Sequence, residues 1–200
     1  KQPAEILTIA NHILGTGQLS LAKFLFITAD DTNTLDVNNI GSYLQYILQR
    51  IDLSRDIHFY TNTTIDTLDY SGTGLNSGSK VVLAAYGDKK RELAAEIPAF
   101  LKGLQGFKYP RLVMPGIIAI HANAFINYES ANKELVMLND QCSMHNEQLS
   151  NIPFIVVCDD SDFVSDQPNK FLWVTFTRGN PSHEIFGINS FGANENWGCK

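Results

Sequence analysis

The chain has 200 residues, 44% of them hydrophobic and 18% charged, with a formal net charge of -6. That length buries a real core in one large domain or two fused halves, and an acidic balance without clustered lysines and arginines excludes a phosphate-backbone binder, so no nucleic-acid partner is expected. No apolar run reaches the length of a transmembrane segment and no signal peptide is visible; three scattered cysteines, Cys142, Cys158 and Cys199, make neither a disulfide framework nor a metal site, so a reducing, cytoplasmic setting is expected, with peripheral contact the one membrane association left open.

In chain order, residues from Pro3 to Leu14 read as a helix, with Ala4, Ile6, Leu7, Ala10, Ile13 and Leu14 on one face. Phe24 to Thr28 is an unbroken apolar run, the pattern of a parallel strand covered on both faces. A helix capped by Asp36 follows over Val37 to Ile51, then a strand over Ile57 to Tyr60. Thr61 to Gly78 reads as a loop anchored by Ile65 and Leu68, and Val81 to Ala85 as a second buried strand. Lys89-Lys90-Arg91 opens a helix running to about Leu104, kinked or split at Pro98. Leu112 to His121 is strand-rich, with a bend at Pro115-Gly116. Glu129 to Leu149 is the next long helix, and Ile152 to Cys158 a buried strand in which Cys158 serves as a small hydrophobe. Over Phe171 to Thr177 local propensity favours a strand, whereas an internal repeat favours a helix; the repeat is followed. Glu184 to Ile188 reads as a strand.

That repeat organises the chain. An apolar strand ends in the acid pair Asp30-Asp31 and again in Asp159-Asp160; Arg50 and Asp56 lie 6 apart, as do Arg178 and Glu184. Each copy reaches a Gly-small-Lys: Gly78-Ser79-Lys80 and Gly198-Cys199-Lys200. The expected fold is therefore α/β, a layered sheet with helices on its faces, built from two similar α/β halves, 1–108 and 109–200, in one compact domain. The second copy stops where the first continues into a strand, which reads as a fragment of a longer protein.

The acid pairs admit two readings, turn and helix-cap chemistry or contact with a metal or ligand at the carboxyl edge of a sheet. The Gly-small-Lys motifs also admit two: a turn entering a strand with a solvated lysine, or a close backbone approach with Lys80 and Lys200 supplying charge to a phosphate. No nucleophile elbow, phosphate-binding loop or dinucleotide fingerprint occurs, and His12, His58, His121, His145 and His183 have no metal-ligand spacing. No catalytic or metal-ligating residue is expected.

The run Gly15 to Lys23, the strand into Ala29-Asp30-Asp31, Arg50 to Ile57, Leu68-Asp69-Tyr70 and Gly78-Ser79-Lys80 together resemble the carboxy-terminal domain of UbiD-like decarboxylases, the 3-octaprenyl-4-hydroxybenzoate carboxy-lyases. Trp173, Thr177, Arg178 and Pro181 resemble another of that family's patterns, and the duplicated form is similar to its longer members associated with menaquinone synthesis. The resemblance implies non-oxidative decarboxylation of aromatic or α,β-unsaturated acids with prenylated FMN. It places that cofactor and a catalytic Glu-Arg-Glu set in an upstream flavin-binding domain, and leaves this part to pack on that domain and form a homodimer or higher homo-oligomer. It also implies that Lys80 or Lys200 approaches the cofactor phosphate, although Val81 to Gly87 departs from the family's Asp-Ala-Thr. Another class of function, a stand-alone α/β module binding a small anion or nucleotide, rests on the acid pairs and Gly-small-Lys turns alone.

Overall fold

The structure, a computed structural model, describes residues 3–30, 33–36 and 38–199; Asp31, Val37, Lys200 and the side chain of Ala4 lie outside the described residues. The fold is α/β. Strands β1 (Phe24–Thr28), β2 (Ile57–Thr63) and β3 (Gly78–Ala85) form one sheet in the order β1-β3-β2, with β1 parallel and β2 antiparallel to β3. Strand β3 is buried along its whole length: from Val81 to Ala85 both faces are apolar and covered, while Ser79 and Lys80 are buried polar residues. Val82 and Ala84 pack with Ile6 and Ala10 of helix α1 (Pro3–Leu14), while Val81, Leu83 and Ala85 pack with Ile47 of helix α2 (Ile40–Arg50) and with Ile51 just beyond it.

A second sheet holds β4 (Lys108–Met114), β5 (Ile117–His121) and β6 (Phe154–Cys158), in that order. Strands β4 and β5 form a hairpin around Pro115-Gly116, and β6 joins β5 in parallel. Its outer face, carrying Ile118 and Ile120, is covered by Leu138 and Cys142 of helix α3 (Tyr128–Cys142). Its inner face, carrying Ile117, Ala119 and Val156, meets Leu44 and Leu48 of α2 and buried Phe171, so α2 is apolar on two sides and joins the sheets. The remaining helices are α4 (Asn146–Leu149), α5 (Ser161–Asp166), α6 (Pro168–Thr177) and α7 (Pro181–Glu184), and a small hairpin pairs β7 (Phe191–Ala193) with β8 (Asn196–Gly198).

Several expected elements take another form. The cap of α2 is Asn39, whose side chain accepts from Ser42 N, whereas Asp36 closes a local turn onto Asn38 N. Leu68 is 79% exposed and anchors nothing, while Ile65 is buried as expected. The helix over Lys89 to Leu104 does not form. Lys90 N and Arg91 N donate to Gln49 O, and Ala94 N donates to Asn151 O, so these amides are spent on distant carbonyls instead of a helical ladder. Only a 3-10 turn, Ala99–Gly103, follows Pro98. The Arg91 guanidinium donates to Leu48 O and Ile51 O at 2.6 and 2.8 Å, closing the carboxyl end of α2.

The helix over Glu129 to Leu149 breaks at Ser143–His145 into a 3-10 turn, where Ser143 Oγ donates back to Asp140 O and His145 stacks on Phe100. The strand over Glu184 to Ile188 does not form: α7, which Pro181 opens from the first-turn position that suits proline, ends at Glu184, and residues 185–188 follow as irregular chain. Residues 171–177 are helical, as the repeat requires and local propensity does not.

Candidate functional site

The buried polar groups gather where the first sheet meets the connection from α6 to α7. Lys23 precedes β1 and is only 9% exposed. Its ammonium pairs with Asp69 at 2.7 Å and donates to Ser71 Oγ at 2.7 Å, Gly179 O at 2.9 Å and Thr177 O at 3.1 Å. A cation at the carboxyl end of α6 satisfies carbonyls that the helix leaves unpaired and complements its dipole. Burial opposes ionisation of Asp69, but the hydrogen bonds from Lys23 and Ser71 outweigh it and hold this carboxyl below its ordinary value. Beside this cluster Ser79 Oγ, at the middle of the first Gly-Ser-Lys, bonds to the Asn180 side-chain oxygen and accepts from Ser182 N at 2.8 Å. Ser79 and Asn180 are buried.

The expected site residues have specific places. Lys80 lies on β3, 4% exposed, with its ammonium donating to Ser20 O in the 3-10 turn Gly17–Leu21. Burial lowers its pKa. A phosphate cradle needs open donors, and this lysine is enclosed by its own chain; Lys200 lies outside the described residues. As placed, Lys80 does not fit a flavin phosphate. The glycines of both motifs do permit close approach, but the approach is internal. A Cβ on Gly78 meets Ile65 Cδ1 at 2.9 Å, and one on Gly198 meets Ser54 O at 2.6 Å.

One acid of each pair, Asp30 and Asp160, acts as a turn or cap group. Asp30 Oδ2 accepts from Leu35 N, and Asp160 caps α5 by accepting from Phe163 N, both at 2.8 Å. Burial pushes the thiols of Cys142 and Cys158 up to about 11. Among the described residues no group of three or more His, Cys, Asp or Glu is placed to hold a metal ion. The Trp173 to Pro181 pattern is architectural: Arg178 stacks over Trp173 at 4.3 Å, and Thr177 Oγ1 donates to Trp173 O.

An apolar cleft of about 970 Å3 opens between the sheets, with Phe24, Phe26, Phe154 and Phe176 among its walls. Glu184 stands at its edge. It accepts from Asn180 N at 3.2 Å and from the Tyr128 hydroxyl at 3.4 Å, and Tyr128 in turn contacts the His183 ring. Burial raises the Glu184 carboxyl above the ordinary 4.5, although the bonds from Asn180 and Tyr128 and the charges of Lys23 and His183 pull it down. The folded protein thus keeps a proton that the unfolded chain has lost, so this group's contribution to stability declines as pH rises from 4.5 through the raised value. Urea midpoints from about pH 4 to about pH 7 are expected to fall in the wild type relative to Glu184→Gln, with a shallow slope because the side chain is partly exposed. Parallel profiles for the two proteins count against the assignment.

Sequence reasoning does not single out Asn180 or Tyr128, meets Lys23 only as the end of the family run from Gly15, and takes Glu184 for a repeat match and a strand residue. Asp69 enters only through the family pattern at Leu68-Asp69-Tyr70. The one available signal is a lysine set directly against an apolar strand.

A layered α/β protein with a polar junction between its first sheet and the α6–α7 connection is the class these observations define. Residues 1–85 match the family model described as "3-octaprenyl-4-hydroxybenzoate carboxy-lyase C-terminal domain". The chain is 32% identical over 191 residues to a Chlamydia pneumoniae protein whose name makes it one subunit of a 4-hydroxybenzoate decarboxylase; the match takes in 93% of this chain and 29% of that protein. It is 33% identical over 183 residues to an uncharacterized protein of Chlamydia muridarum, covering 90% and 28%, and 31% identical over 183 residues to one of Chlamydia trachomatis, with the same coverage. The chain thus spans little more than a quarter of the length of these relatives. Among the described residues no helix is long and apolar enough to cross a membrane.

Proposed function

We propose that the chain is the carboxy-terminal part of a UbiD-like non-oxidative decarboxylase of aromatic acids, and that it supplies packing and dimer surface while the reacting groups lie on a flavin-bearing domain. The domain match over residues 1–85 carries this reading, and the relative named for 4-hydroxybenzoate decarboxylase supports it. The division of labour rests on the polar groups: Lys23, Asp69, Ser79 and Asn180 are spent on one another and on backbone, Asp30 on a turn and Asp160 on a helix cap. Exposed apolar residues support a packing role. Phe125 and Ile126 are 65% and 78% exposed beside Tyr128, a patch of the sort that protein contacts cover. Prenylated FMN is the cofactor of the whole protein in this reading, and Lys80 reaches its phosphate only if the turn over 17–21 releases the ammonium.

The test is decarboxylation of 4-hydroxybenzoate and related aromatic acids by the longer protein loaded with prenylated FMN, beside the 200-residue chain under the same conditions. Turnover is expected from the longer protein alone. Inactivity of the loaded longer protein on every aromatic acid tried, or turnover by the chain by itself, refutes the reading.

A further inference from the structure

The apolar cleft takes its walls from both sheets. Phe24 and Phe26 of β1 line it from the first sheet and Phe154 and Val156 of β6 from the second, with Leu135 of α3 and Phe176 of α6 between them. Val157 and Phe186, 37% and 39% exposed, also line it, so apolar side chains reach its surface. At about 970 Å3 it stands at the upper end of the roughly 300–1,000 Å3 that ligand pockets span.

We propose that this cleft is a binding site for an uncharged aromatic molecule bearing a hydroxyl, with its rings between the two sheets and its hydroxyl at Glu184 and Tyr128. The walls argue for the rings. Phe24, Phe26 and Phe154 lie 5.1, 5.4 and 6.5 Å from the Phe176 ring, so four rings gather in one part of the lining and offer edges and faces to a further ring. The edge of the cleft argues for the hydroxyl. Glu184 and the Tyr128 hydroxyl are 3.4 Å apart beside the His183 ring, a long contact between an acceptor and a donor. A ligand hydroxyl can donate to the one and accept from the other.

The neighbouring charges argue for an uncharged ligand. An anion needs a free cation, but Arg91 is spent on Leu48 O and Ile51 O, Arg178 stacks over Trp173, and Lys23 is enclosed by Asp69 and Gly179 O. A cation at Glu184 meets the positive charges of Lys23 and His183. Burial already raises the Glu184 carboxyl above its ordinary value, so the site favours the uncharged form even of its own acid. The inference does not depend on the decarboxylase reading, and its test uses no activity.

The probe is 4-hydroxybenzophenone, which carries two rings, a phenol and its own photo-crosslinking carbonyl. Titrated calorimetrically onto the 200-residue chain at about pH 6, where a phenol is neutral, it is expected to bind with a dissociation constant on the order of 100 µM. On the same skeleton, anionic 4-benzoylbenzoate and cationic 4-(aminomethyl)benzophenone are expected to bind about tenfold more weakly or worse. Unsubstituted benzophenone is expected to bind about fivefold more weakly than the phenol. Tyr128→Phe, which keeps the ring, should erase that fivefold preference without weakening benzophenone itself, a result that a misfolded variant cannot give. Irradiation should place the adduct on residues 153–159 or 174–176. Absence of binding overturns the proposal, as does an anion or cation bound as tightly as the phenol, a preference that survives in Tyr128→Phe, or an adduct outside the cleft. Binding that is lost in the longer protein overturns it equally, because the rest of the polypeptide would then cover the cleft.

Discussion

Replacement of Phe171 by alanine is expected to destabilise the protein by about 4 kcal/mol, the middle of the range for deleting a fully buried aromatic ring. Phe171 is 0% exposed. Its ring meets Phe176 at 5.6 Å and Phe154 at 6.3 Å, both edge-on, so it fixes α6 against β6 and against its own last turn. The same cluster contains Leu44 and Leu48 of α2, Ile117 and Ala119 of β5, and Val164 of α5. One ring therefore holds helices α2, α5 and α6 against the second sheet, and its loss leaves a cavity with several rigid walls. In a chain of this size that loss lowers the melting temperature by roughly 8–16 °C. Urea denaturation should show a reduced midpoint with the slope unchanged. Phe171→Leu, which keeps most of the volume, should lose much less. If alanine and leucine behaved alike, the site would be collapsing freely into the neighbouring cleft, and Phe171 would not be the joint described here.

How far the sequence reveals this architecture depends on where each element's partners lie. The strand over 24–28 is legible because an unbroken apolar run between polar flanks has few other uses. The helix over 168–177 is legible only through the repeat, since its aromatic and β-branched composition points to a strand while burial of Phe171 decides for the helix. The irregular path over 86–98 is not legible, because the carbonyls that take its amides belong to Gln49 and Asn151, far away in the chain. The same distance hides the polar junction. Ser79 and Asn180 are separated by 101 positions, and Lys23 and Gly179 by 156, so no local spacing announces them. What the sequence does mark is the Gly-Ser-Lys tripeptide. Its serine proves to be the joint and its glycine a packing necessity, while its lysine, expected to face a ligand, turns beneath the 3-10 turn at Ser20.

Lys23→Met is the second change expected to have a large effect, about 3 kcal/mol at neutral pH, the lower end of the range for removing one member of a buried ion pair. Methionine keeps the volume and removes the charge, so the loss is electrostatic. Asp69 is left with its carboxylate 16% exposed and without its cation, while Thr177 O and Gly179 O lose their donor at the end of α6. The pH dependence separates this from a simple packing defect. Because the folded pKa of Asp69 is depressed, the stability it contributes is present above the ordinary 3.8 and is lost as pH falls through the folded value. Removing Lys23 abolishes that contribution, so the gap between wild type and Lys23→Met should be widest near neutrality and narrow on the acid side of 3.8. A second substitution sharpens the test. Asp69→Asn in the Lys23→Met background removes the stranded charge and should recover part of the loss, whereas Asp69→Asn alone should destabilise. A gap that stays constant with pH, with no recovery in the double variant, would mean that Lys23 matters only as a donor to the end of α6. The junction would then be a helix cap rather than an ion pair.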